Sequence, residues 1–255
     1  MDKYKDIVDS WNTPNTIAGL KCKLENHRVL FAYHSGKIEN EEVTYADTRE
    51  IFENGKVINF TGDLRTLFEI QNQKICYDFL QQKILDHEPI TPELIKKIHK
   101  LLMSKCYDER RYHDLGERPG EYRKHEYTVG IHGVGLPCDN INEEIEYLCD
   151  QLLENETMDK LNVLRIGCWF HLNFEYIHPF ADGNGRTGRT LLNYYLITHD
   201  HPPVVIHNED KKEYYAALEA FDEKEDINRL VEFVKRQIEK TWSPHSKKRE
   251  PCVSQ

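Results

Sequence analysis

The chain has 255 residues, 39% of them hydrophobic and 31% charged, with a formal net charge of -10. That length can bury one substantial core, and no apolar run approaches the span of a membrane. The acidic balance argues against gripping DNA or RNA backbone, which calls for an excess of Lys and Arg, and fits a locally basic pocket for a small polyanion. Seven cysteines (Cys22, Cys76, Cys106, Cys138, Cys149, Cys168, Cys252) are scattered without a Cys-x-x-Cys pair, which suits reduced thiols in the cytoplasm better than disulfides or a zinc site. Met1 to Trp11 is polar and charged, so no secretory leader is expected.

In chain order, Gly55 to Gly62 reads as a connector, and Leu64 through Phe79 as a helix of imperfect period. Leu94, Ile95, Ile98, Leu101 and Leu102 follow helical spacing, with Thr91 as N-cap and Pro92 in the first turn. Glu121 to Pro137 breaks the pattern: Tyr127, Val129 and Ile131 alternate before a Gly-x-Gly turn, a short β-hairpin signal that by itself leaves a surface ribbon as good a reading as a functional one. Helical stripes resume at Ile141, Ile145, Leu148 and Leu152, and at Val163, Ile166, Phe170 and Phe174. A last stripe, Ile227, Leu230, Val231, Val234 and Ile238, closes before Pro244, and the polar tail 243–255 is expected to be disordered. The fold class is mainly α.

Between two of these helices lies His178-Pro-Phe-Ala-Asp-Gly-Asn-Gly-Arg-Thr-Gly-Arg189. Its Gly-x-Gly-x-x-Gly run formally matches a dinucleotide fingerprint, but the preceding residues have helical spacing where that fingerprint needs a strand. A helix from Arg186 through Leu196 would instead aim its first amides into the loop, a ready anion site, and Gly183, Gly185 and Gly188 would let phosphate oxygens approach the backbone. Arg186 and Arg189, three apart, would share one face and clamp adjacent phosphates. Asp182 beside a polyphosphate makes sense as a Mg²⁺ ligand, and His178 as acceptor of a proton from an attacking hydroxyl. Taken singly, each of these residues reads as readily as a turn, a structural His or a solvated Arg. Their coincidence in twelve positions favours phosphate chemistry.

The same stretch resembles the Fic signature, His-x-Phe-x-Asp/Glu-Gly-Asn-Gly-Arg-x-x-Arg, at every fixed position. Pro119-Gly-Glu-Tyr-Arg123 with Val129 and Ile131 resembles the family's flap, His171-x-x-Phe174-x-x-Ile177 its approach helix, and Tyr214-Tyr215-x-x-Leu218 its later helix. The resemblance implies a Fic-type helical bundle core with a short β-hairpin flap, catalytic over 63–242, behind an N-terminal region 1–62. It implies transfer of AMP from ATP to a Ser, Thr or Tyr hydroxyl of a protein, including the enzyme itself, and self-association into a homo-oligomer. His178 would be the general base and Asp182 the Mg²⁺ ligand. Gly183, Asn184 (through its side chain), Gly185 and Gly188 would belong to the anion loop, with Arg186 on the α/β-phosphates and Arg189 on the γ-phosphate. Val129, Gly130, Ile131, His132 and Gly133 would dock an extended target segment. Tyr214 would line the adenine pocket. Asp222 stands where an Asn is common and cannot donate as an amide does, which leaves base preference open.

Ser35-Gly-Lys-Ile-Glu39-Asn40 fits the pattern of an inhibitory helix (about 30–40) known in the family. That resemblance implies that Glu39 pairs with Arg189 and denies it to the γ-phosphate. Three other functions compete. Glu39 could orient water to remove AMP from a modified protein. Phosphoryl transfer of the Doc type is disfavoured, since those relatives carry Lys at the position of Gly185. A nucleotide-sensing module without turnover predicts loss of His178 or Asp182, and both are present.

Overall fold

Local signals start most of the helices. In the computed structural model, which describes residues 2–58, 60–129, 132–157 and 159–243, Asp or Thr side chains cap α1 (Lys3–Ser10), α2 (Ile17–Lys23), α4 (Tyr45–Asn54), α5 (Leu64–Leu85) and α6 (Pro92–Leu102). Thr91 caps α6 as its sequence predicts, accepting from the Leu94 amide at 3.2 Å. Two of the helices that begin without a capping side chain are α3 (Glu25–Glu39) and α7 (Ile141–Glu154). They are followed by α8 (Lys160–Ile177), α9 (Asn184–Thr198), α10 (Lys211–Lys224) and α11 (Ile227–Trp242).

The centre of the bundle is α9. All its residues but Gly185 are buried, among them Leu191, Leu192, Leu196 and Ile197, each worth about 2 kcal/mol on removal from water. A helix covered on every side has no polar face, so its polar side chains bond to backbone: Thr187 Oγ1 to Gly183 O at 2.8 Å, and Asn193 Nδ2 to Val204 O at 2.8 Å. Around it pack α3, α5, α6 and α8. Region 1–62 joins this same core: Tyr4, Val8, Trp11, Leu20, Leu24 and Ile38 belong to one apolar cluster with Leu191, Phe233 and Ile238.

Two expected boundaries move. The imperfectly periodic helix from Leu64 continues to Leu85, and its buried face carries Thr66, Glu69, Asn72 and Gln73, which is why the apolar period looked poor. Helix α9 begins at Asn184 rather than Arg186, because Gly183, at φ 83°, takes the left-handed N-cap position open to a residue without Cβ.

Within Glu121 to Pro137, the backbone of β1 (Tyr127–Val129) pairs antiparallel with β2 (His132–Val134), Tyr127 opposite Val134. Gly130 and Ile131 lie outside the described residues, as does the tail from 244. The strands stand on a buried polar base: Glu117 accepts the Lys124 amide at 3.0 Å and the Tyr127 hydroxyl at 3.1 Å, with His125 Nδ1 at 3.0 Å. The six described cysteines, Cys22 to Cys168, form no disulfide among the described residues.

Candidate active site

His178 ends α8 in the left-handed region at φ 51°, a conformation that costs a residue with a Cβ about 1–2 kcal/mol. The surroundings hold it there. Its amide donates to Phe174 O at 3.0 Å, while Arg123 donates from Nε to His178 O at 2.9 Å and from its backbone to Pro179 O at 2.9 Å. Burial pulls the imidazole pKa down to about 4, with Arg123 adding to the fall and a hydrogen bond to the Glu175 carbonyl opposing it. At neutral pH the ring is therefore uncharged. It donates one N–H to that carbonyl and keeps a lone pair on the other nitrogen.

From here the loop is pinned at three points. Asn184 Nδ2 donates to Phe180 O at 2.7 Å, and its Oδ1 accepts the Phe180 amide at 2.9 Å. The Asn184 side chain, expected in the anion hole, braces the loop with its oxygen and one amide N–H, and neither bond uses the second N–H of Nδ2. The Phe180 ring stacks on His99, centroids 3.6 Å apart. His99 Nδ1 accepts the Gly120 amide at 2.8 Å, so Nε2 carries the proton and donates to Asp182 O at 2.9 Å. Burial keeps that imidazole neutral, its pKa pulled down to about 3. No side chain caps α9, so its first amides face the loop.

The two arginines meet different protein anions. Arg186 Nη1 meets Glu69 Oε1 at 2.8 Å and its Nη2 meets Asp182 Oδ1 at 3.3 Å. Arg189 turns to α3, with Nη2 2.7 Å from Glu39 Oε1 and 3.0 Å from Ser35 O, and Nε 3.1 Å from Ser35 Oγ. Buried guanidinium groups need such anionic partners, and here two different helices supply them. Burial opposes the charge of Arg189, but Glu39, Tyr214 and Glu175 together raise its pKa above the ordinary arginine value. Arg186 Nε and Arg189 Nη1 remain buried without a hydrogen-bond partner among the described residues. Gly185 permits the Glu39–Arg189 contact, since a Cβ there would stand 2.5 Å from Glu39 Oε1 and 2.8 Å from Arg189 Nη1.

Asp182 also receives Arg65 Nη2 at 2.9 Å. Burial would raise its pKa, but Arg186 and Arg65 together hold it below the usual carboxylate range, so both oxygens are anionic. It opens on a polar cavity of about 360 Å³ whose wall includes Glu39, Arg65, Glu69 and Arg186. An ionised oxygen ligand whose charge is neutralised by displaceable guanidinium groups fits a hard divalent cation. Among the described residues no group of three or more His, Cys, Asp and Glu is placed to cage a metal, so such an ion would rely on Asp182 and on its own ligands.

Tyr214 is 1% exposed, its hydroxyl 2.8 Å from His171 Nε2 and its ring beneath the Arg189 guanidinium, so it supports the arginine from below. Its neighbour Tyr215, 44% exposed, presents the available aromatic face. Asp222 is exposed farther along α10. Of the residues expected to dock a target, Val129, His132 and Gly133 are placed by backbone pairing alone. Sequence reading missed Arg65, Glu69 and His99, and placed Arg123 only within the flap segment. The one available signal was the polar face of α5.

Residues 89–196 match the Fic/DOC family. The chain is 29% identical over 241 residues to the protein adenylyltransferase Fic of Drosophila erecta, covering 94% of this chain and 46% of that protein. It is 27% identical over 215 residues to protein adenylyltransferase fic-1 of Caenorhabditis elegans, covering 84% and 40%. It thus spans about half, or less, of the length of these relatives. Among solved structures, Fic-1 (residues 134–508) of C. elegans superposes with a TM-score of 0.76 at 25% identity, over 93% of this chain and 68% of that one. A Fic domain-containing signalling protein of Bacteroides thetaiotaomicron gives 0.75 at 21%, over 94% and 91%. No helix among the described residues is long and apolar enough to cross a membrane.

Proposed function

We propose, from the match of residues 89–196 to the Fic/DOC family, that the protein transfers AMP from ATP to a hydroxyl side chain of a protein, with Glu39 restraining the reaction. The observation that carries this reading is the convergence on one loop of a neutral His178, an ionised Asp182, uncapped α9 amides and two buried arginines.

His178 accepts the proton of the attacking hydroxyl, its free nitrogen oriented because the other donates to the Glu175 carbonyl. The first amides of α9 face the phosphates, Arg186 holds the α- and β-phosphates, and Arg189, once free of Glu39, holds the γ-phosphate. Asp182 would hold Mg²⁺, which neutralises phosphate charge when bound. The unpaired strand edge near Val129 would align an extended target segment by backbone hydrogen bonds. While Glu39 occupies Arg189, a triphosphate cannot lie in line for attack at the α-phosphorus.

Incubation of the wild type, Glu39→Gly and His178→Ala with Mg²⁺ and ATP labelled at the α- or γ-phosphate tests the assignment. Label retained on protein from the α-position only, increased in Glu39→Gly and lost in His178→Ala, is the expected result. Retention of γ-label would replace it with a kinase-like reaction.

A further inference from the structure

Glu69 lies on α5, outside the matched segment, and is 5% exposed. Its two oxygens serve three donors. Oε1 accepts Arg186 Nη1 at 2.8 Å and Arg65 Nε at 3.1 Å, and Oε2 accepts Asn40 Nδ2 at 2.9 Å. Asn40 directly follows Glu39 and closes α3, its backbone amide on Gly36 O at 2.9 Å. The same side-chain nitrogen reaches Thr66 Oγ1 at 2.9 Å, and Oδ1 accepts the Glu42 amide at 2.9 Å. The end of α3 is thereby fastened to the first turns of α5. The Glu39 carboxylate, one residue away and 32% exposed, takes its place against Arg189 from that seam.

We propose that Glu69 is a positioning residue shared by both loop arginines, holding Arg186 directly and holding Glu39 on Arg189 through Asn40. The inference rests on the transfer reading above. Its physical content is a division of one carboxylate between two tasks of opposite sign. The Oε2 arm keeps α3 from fraying at its last turn and so sustains the restraint. The Oε1 arm keeps Arg186 aimed at the loop, and it is the protein partner left to Arg186 when a cation takes Asp182. The Oε1 arm is the costlier of the two to lose, because an unmatched guanidinium in that setting is strongly unfavourable.

Separate variants isolate the arms, read as incorporation of α-labelled phosphate into the full chain itself. Asn40→Ala removes the Oε2 arm together with the Thr66 and Glu42 contacts of the same side chain, leaves the Oε1 arm in place, and is expected to raise incorporation about fivefold or more, the factor of at least one ordinary hydrogen bond. In a Glu39→Gly background, where the restraint is already gone, it should change the rate by less than about twofold. In that same background Glu69→Gln, which keeps the shape and loses the charge, should lower the rate at saturating ATP about tenfold or more, while the half-saturating ATP concentration moves less. Glu69→Asp, which restores the charge on a shorter arm, should fall between.

Two results overturn the inference: no increase in Asn40→Ala, or an undiminished rate in Glu39→Gly/Glu69→Gln beside a lowered thermal midpoint, which would mark Glu69 as a packing residue. If Glu39→Gly itself incorporates no label, the transfer reading has failed separately. The anchor is then judged by thermal midpoints of Asn40→Ala, Glu69→Gln and the double variant, where strict additivity refutes it and coupling upholds it.

Discussion

Arg189 Nη2 and Glu39 Oε1 stand 2.7 Å apart although 150 residues of chain separate them. The contact joins the end of α3 to the buried start of α9, and Ser35, one helical turn before Glu39, supplies two further acceptors to the same guanidinium. An arginine with three protein contacts and one unpartnered buried nitrogen is well held yet not saturated. That combination suits a group which exchanges one anion for another.

Ser35→Ala removes the Oγ acceptor of Arg189 Nε and leaves the carbonyl and Glu39 in place. Incorporation from α-labelled ATP should rise about fivefold, a hydrogen bond's share of about 1 kcal/mol, and stay below the increase in Glu39→Gly. Equal activity in Ser35→Ala and wild type would mean that Ser35 takes no part in the restraint.

His178→Ala should lower transfer by about 10²- to 10⁴-fold, the usual contribution of a general base, while ATP binding measured by calorimetry is retained. Because its pKa lies near 4, the imidazole is already unprotonated through the neutral range. The rate should therefore not rise between pH 6 and 8 on account of this group, falling only as pH approaches about 4. A profile climbing through pH 6.5 would show that His178 titrates as an exposed histidine.

Acid should destabilise the fold before carboxylates titrate. Burial holds His27 and His201 near pKa 4, and His99 and His171 near 3. Above the unfolded value of about 6.5 these rings are neutral in both states and contribute no pH dependence. As pH falls below it, the unfolded chain binds protons that the folded chain refuses, so stability is lost until the folded pKa is reached. Each ring then contributes up to about 1.4 kcal/mol per pH unit. Thermal midpoints measured from pH 7 to 5 should decline steeply, and His99→Gln should flatten the slope. A level curve would contradict the buried neutral assignment.

Arg123→Lys should loosen the loop from the strands. The arginine side chain is fully buried and donates to His178 O, His125 O and Leu136 O and to the Glu126 carboxylate. A lysine has no planar fork with which to meet them. A loss of about 3 kcal/mol in denaturant unfolding is expected, together with slower hydroxyl modification. Unchanged stability would place those carbonyls on other donors.

Local chemistry by itself determined much of this protein. The Thr91–Pro92 start of α6, the stripes of α7, α8 and α11, the departure at Glu121–Pro137 and the density of function in His178–Arg189 are legible because helical period, capping and a short motif involve neighbours in sequence. The poor period of α5 was legible too, but as noise. Its buried Glu69 makes sense only against Arg186, 117 residues away. Likewise nothing in the sequence around Tyr214 or Asn184 tells that the one braces His171 and Arg189 and the other ties its amide to the backbone of Phe180. Which anion satisfies which buried cation was decided by the tertiary structure alone, since desolvation makes every such charge find a partner and only packing selects which one comes within reach.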